Sequence, residues 1–131
     1  MMHSSNILII VGLPASGKTT LANKINKDNN FKYRIIDDPK NFMKDVYPYI
    51  NEDLIITDPA LCIESNRDKA VSMIKKYTNA KIDWIFFENN PKQCLINAKN
   101  RENKKVDSLI NLLSKEYIIP RNSNISKVYV G

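Results

Sequence analysis

With 131 residues, the chain has room for a single domain, 1–131, built around one hydrophobic core. Its hydrophobic (43%) and charged (26%) fractions exclude an extensively disordered protein, and its apolar runs are far too short to cross a bilayer. The net charge of +6 either favours phosphorylated or polyanionic partners or marks a solvated, lysine-rich surface.

Taken in order, residues 7–11 (ILIIV) predict a buried strand and residues 18–26 a helix that turns Leu21, Ala22 and Ile25 inward. A second strand over 33–36 leads to a short helix over 41–47, ended before Pro48, and a third strand over 54–57. Ala70, Met73, Ile74 and Tyr77 recur at helical spacing, and a fourth strand follows over 82–87. Asn90 is placed to cap a helix that starts at Pro91 and carries Cys94, Leu95 and Ala98 inward. Val106, Leu109, Ile110 and Leu113 mark a last helix, and residues 127–130 a fifth strand. Alternation of this kind predicts an α/β fold with a parallel sheet covered by helices.

Residues 1–6 lack the basic start and apolar stretch of a signal peptide, and Cys62 and Cys94 are far apart without CxxC spacing. Two reduced core thiols in a cytoplasmic protein are therefore expected, with no membrane partner. His3, near the start of the chain, has no assigned role.

Two of the three glycines stand in GLPASGKT, residues 12–19, between the first strand and the first helix. The pattern G-x-x-x-x-G-K-T at a strand-to-helix junction is the phosphate-binding P-loop, whose backbone N–H groups form a nest around a phosphate at the positive end of a helix. Gly12, Pro14, Ala15, Ser16, Gly17, Lys18, Thr19 and Thr20 are the expected nucleotide-binding residues. Lys18 would reach the terminal phosphates and Thr19 would bind Mg²⁺, so ATP (or GTP) and Mg²⁺ are the implied cofactors. An ordinary strand-to-helix turn is the alternative.

In open α/β sheets the ligand lies beyond the carboxyl ends of the strands. Those ends carry IIDDP (Asp37, Asp38), IITDP (Asp58) and FFENNP (Glu88). Carboxylates there can hold a metal ion or accept a hydroxyl proton, whereas an Asp before Pro also caps turns. Glu88 reads more readily as a capping residue. The segment NAKNRENKK, 97–105, offers Arg101 as a lid arginine for a transferring phosphate, or is a plain basic loop.

The P-loop followed by IIDDPK, IITDPALC, ESNRDKA, FFENNPKQC, NAKNRENKKV and IIP resembles the P-loop kinases of the polynucleotide kinase type, the kinase domain of phage polynucleotide kinases above all. The resemblance implies a five-stranded parallel sheet in the order 2-3-1-4-5 flanked by helices. It implies catalytic roles for Asp37 as general base, Lys18, Arg101 and Asp58, with Thr19 and Asp58 on the metal side. Asp38, Lys40 and Arg67 fall on the acceptor side, and Pro120 and Arg121 near the nucleotide base. Lys40 stands where the family has an arginine, Pro39 follows the aspartate pair, and no phosphatase domain fits in the chain. The implied activity is phosphoryl transfer from a nucleoside triphosphate to a nucleic-acid 5′-hydroxyl end. A small-molecule acceptor, or a regulatory nucleotide-binding protein without efficient transfer, are the alternatives.

Overall fold

The computed structural model describes residues 5–130, the side chain of Lys104 excepted; His3 lies outside them. The strands are β1 (Asn6–Val11), β2 (Arg34–Asp37), β3 (Leu54–Thr57), β4 (Lys81–Phe87) and β5 (Ile125–Ser126). All pair in parallel, in the order β2-β3-β1-β4-β5. Flanking them are α1 (Lys18–Asp28), α2 (Phe42–Val46), α3 (Glu64–Lys75), α4 (Pro91–Asn100) and α5 (Asp107–Glu116), with 3₁₀ turns at Tyr47–Tyr49, Pro59–Cys62 and Lys104–Val106. No described helix is long and apolar enough to cross a membrane.

Strand position explains strand composition. β1 and β3 are paired on both edges, and Ile7, Ile9, Ile10, Leu54, Ile55 and Ile56 are fully buried. β2, at one edge, exposes Arg34 and Asp37 at its two ends. Capping follows the local chemistry: Asn90 Oδ1 accepts from Gln93 N at 3.1 Å, and Asn41 Oδ1 from Lys44 N at 3.2 Å. Both cysteines are free and buried.

The fifth strand differs from expectation. It covers only Ile125–Ser126, paired with Phe86 and Phe87, rather than 127–130. Beyond Ser126 the backbone donors leave the sheet: Val128 N donates to Glu88 Oε1 at 3.4 Å and Tyr129 N to Ser16 O at 2.9 Å. Val128 is buried by that course, which is why the segment has the apolar look of a strand. Tyr77 falls beyond the end of α3, its half-exposed ring edge-on to Tyr47 at 4.9 Å, and Leu109 is also partly exposed.

Arg67 on α3 is 5% exposed. Its Nη1 donates to Leu61 O (2.8 Å) and Cys62 O (3.2 Å), and its Nη2 to Ile118 O (2.8 Å). It ties the 3₁₀ turn after β3 to the segment after α5. Arg67→Ala leaves these carbonyls without their donor and is expected to lower the unfolding free energy by about 2–4 kcal/mol, read from urea denaturation.

Candidate nucleotide and phosphoryl-transfer site

The two glycines of the loop are required for different reasons. A Cβ on Gly12 would lie 2.6 Å from Ser16 Oγ and 3.0 Å from Phe87 Cβ, so the strand end leaves no space for one. Gly17, which precedes α1, has φ +106°, a conformation strained for any L side chain, and a Cβ there would meet Tyr129 Cβ at 2.9 Å. Ala15 also has positive φ, +64°.

Four of the loop's carbonyls are occupied. Leu13 O accepts from Ser16 N (3.2 Å) and Lys18 Nζ (3.0 Å), Ala15 O from Asn97 Nδ2 (3.0 Å), Ser16 O from Tyr129 N (2.9 Å) and Gly17 O from Leu21 N (3.0 Å). The N–H groups of Gly17, Lys18 and Thr19 meet no acceptor among the described residues, which leaves them to an anion at the helix start.

Lys18 is 6% exposed, and burial lowers its pKa, opposed chiefly by the charge of Asp38. Its Nζ is turned to Leu13 O at the floor of the loop. Asp37, the last residue of β2, pairs in register with Thr57 of β3. Its Oδ1 accepts from Thr57 Oγ1 (2.5 Å) and from Thr19 Oγ1 (2.9 Å). The carboxylate beside the Thr19 hydroxyl is thus Asp37, not Asp58.

Asp38 follows in the left-handed region, φ +46°, although Pro39 comes next. Residues before proline favour extended backbone, so this one stores on the order of 1–3 kcal/mol of strain, held in part by its N–H on Thr57 O at 2.8 Å. Asp38 lines a cavity of about 190 Å³ with Lys18, Thr19, Arg101 and Asn103. Burial raises its pKa, and the Lys18 charge counters that rise.

Asp58 is buried, and its Oδ1 accepts from Ala60 N at 2.9 Å, capping the 3₁₀ turn at Pro59–Cys62. Burial raises its pKa too, against the Ala60 hydrogen bond. It also borders a second cavity, about 250 Å³, with Lys40, Phe42, Asn66, Lys69 and Met73. Glu88 accepts from Asn90 Nδ2 (3.3 Å) and Val128 N (3.4 Å), a turn-forming role. Pro120 borders an open groove with Trp84 and Arg67, whereas the segment against the P-loop is the one carrying Tyr129.

Three further residues at this site were not singled out by the sequence. Thr57 orients Asp37. Tyr117, buried, donates its hydroxyl to Phe87 O at 2.5 Å beside Val11 O at 3.4 Å, joining the ends of β4 and β1 under the loop. Asn97, 2% exposed, lies on α4 in the stripe Cys94, Asn97, Ala98, Arg101 at helical spacing, and a buried polar residue on such a stripe is the signal that could have revealed it.

Among the described residues no group of three or more His, Cys, Asp or Glu is arranged to hold a metal ion. Mg²⁺ does not need one: it is held by one or two protein oxygens together with substrate phosphates and water. The adjacent hard oxygens of Thr19 and Asp37 fit that requirement.

The chain is 31% identical over 123 residues to an uncharacterized protein of Acanthamoeba polyphaga mimivirus, a match that covers 86% of each. The two belong to one family. No family model matches the chain. Among solved structures, a fungal RNA kinase superposes with a TM-score of 0.68 at 10% identity, covering all of this chain and 77% of that one. A gluconokinase from Sinorhizobium meliloti 1021 gives 0.63 at 14% identity, covering 95% and 82%. A chain of the PezAT toxin-antitoxin system of Streptococcus pneumoniae gives 0.60 at 14% identity; this chain spans 60% of its length. At such identities the likeness is one of fold alone: a five-stranded parallel sheet in the order 2-3-1-4-5 flanked by helices.

Gly17→Ala combines a strained φ with the Tyr129 contact and is expected to lower the unfolding free energy by about 2 kcal/mol or more, measured by thermal and urea unfolding.

Proposed function

We propose that the protein transfers the γ-phosphoryl group of ATP, with Mg²⁺, to the 5′-hydroxyl end of a nucleic acid. The observation that carries this reading is Asp38 in one cavity with Lys18, Thr19 and Arg101 at the mouth of the P-loop. Asp38 takes the proton of the acceptor hydroxyl, whose oxygen attacks the γ-phosphorus. The bond from phosphorus to the bridging oxygen breaks, and ADP leaves with the electron pair. Lys18 and Arg101 offset the charge spread over the moving group. Thr19 and Asp37 would hold Mg²⁺, which when bound neutralises charge on the phosphates.

The acceptor assignment is supported by the cavity beside Asp58, where Lys40 and Lys69 suit phosphates and Phe42 and Met73 offer an apolar wall to a base. One solved structure of like fold is a fungal RNA kinase, which agrees with it. A second reading, transfer to a small hydroxylated molecule, is favoured by the modest size of that cavity, about 250 Å³. The like fold of the gluconokinase agrees with that alternative.

The test is transfer of labelled phosphate from ATP to 5′-hydroxyl oligonucleotides, nucleosides and sugars in competition. Transfer to the oligonucleotide that small acceptors fail to suppress supports the first reading; the converse supports the second; nucleotide binding without transfer to any acceptor rejects both. Asp38→Asn is expected to lower kcat about 10²–10³-fold, and Asp37→Asn to raise the Mg²⁺ concentration needed for half-maximal activity. An Asp37→Asn enzyme as impaired as Asp38→Asn, with an unchanged Mg²⁺ requirement, would return the base role to Asp37. Because a base acts when ionised and the Asp38 pKa is raised, kcat/KM should fall with decreasing pH at a higher pH than an ordinary carboxylate gives. That limb should vanish in Asp38→Asn.

A further inference from the structure

We infer that Asn97 and the strap formed by residues 128–130 are positioning elements of the nucleotide site, holding two P-loop peptides with their carbonyls turned away from the phosphates. This rests on the reading of residues 12–19 as a nucleotide site, and it assigns that site parts distant in sequence.

The contacts form one connected frame. Asn97 Nδ2 donates to Ala15 O (3.0 Å) and to Tyr129 O (2.5 Å), and Tyr129 N donates to Ser16 O (2.9 Å). Gln93 Nε2 donates to Asn97 Oδ1 (2.9 Å), which sets the amide so that its NH₂ faces the carbonyls. Val128 N is held on Glu88 Oε1 at 3.4 Å, just upstream. The absent side chain of Gly17 leaves room for Tyr129 to lie against the loop.

Gly17 shows why a frame is needed. Glycine takes either sign of φ with similar ease, so the Ser16–Gly17 peptide, held here with Gly17 at φ +106°, is free to rotate and carry the Ser16 carbonyl with it. A carbonyl turned inward would present partial negative charge to a phosphate and withdraw an N–H from it. The two outward ties oppose that rotation. By reciprocity, an anion that draws the N–H groups inward must strengthen the ties.

The experiment is titration of the full chain with mant-ADP and Mg²⁺, for wild type, Asn97→Ala, Tyr129→Ala and Tyr129→Pro. Proline at 129 removes the N–H that reaches Ser16 O; alanine keeps it. Asn97→Ala and Tyr129→Pro are expected to weaken binding about tenfold or more, and Tyr129→Ala to bind at least about fivefold more tightly than Tyr129→Pro. Affinities of Asn97→Ala and Tyr129→Pro within about twofold of wild type would overturn the inference. Should either variant not fold, amide hydrogen exchange on the wild type decides. MgADP should slow exchange at the Tyr129 N–H about tenfold, and an unchanged rate overturns the proposal. A wild-type chain that binds no mant-ADP rejects the nucleotide site itself, an outcome separable from intact wild-type binding with insensitive variants.

Discussion

A phosphate can be bound by backbone amides only if the carbonyls of the same peptides have somewhere else to go. In this chain each of the carbonyls of Leu13, Ala15, Ser16 and Gly17 has a donor, supplied by the loop itself, by Lys18, by Asn97, by Tyr129 and by α1. The remaining architecture follows from meeting that demand. β1 and β4 must run side by side so that Phe87 and Tyr117 close under Gly12, and α4 must pass close enough for Asn97 to reach Ala15. The strand after α5 must stop at Ser126, because the next donors are committed to Glu88 and to the loop.

Charge is arranged around the same loop. Lys18 sits in a place where burial disfavours its ammonium, and Asp38 and Asp58 sit where burial disfavours their carboxylates. Lys18 helps to keep both aspartates ionised, and the Asp38 charge helps to keep Lys18 protonated. Asp37 accepts from two hydroxyls, those of Thr19 and Thr57. Neighbouring carboxylates thus sit in unlike surroundings, the condition under which the proposed mechanism gives them unlike tasks.

Much of the fold was legible along the chain. Continuous apolar runs at 7–11 and 54–57 announce central parallel strands because both faces are covered, and Asn90 before Pro91 announces a helix start. The reading failed at 127–130, where burial of Val128 imitates a strand, and at Tyr77, which continues a helical period past the end of its helix. Burial can arise from a strap as well as a strand, and periodicity does not register where hydrogen bonding stops.

At the site, the spacing of GLPASGKT marked by itself where the candidate phosphate nest lies, since its glycines, Lys18 and Thr19 are close together in the chain. Strand ends likewise determined that carboxylates face it. Which carboxylate meets which partner was decided only by tertiary structure. Asp37 meets Thr19 because β2 lies beside β3 in a register that sets Asp37 against Thr57, and Asp58 is drawn away to cap Ala60. Arg67, Asn97 and Tyr129 were assigned their parts by contacts 51, 82 and over a hundred residues away in the chain. Local spacing carries chemistry that acts within a turn. Hydrogen bonds between distant segments depend on where the whole sheet brings them.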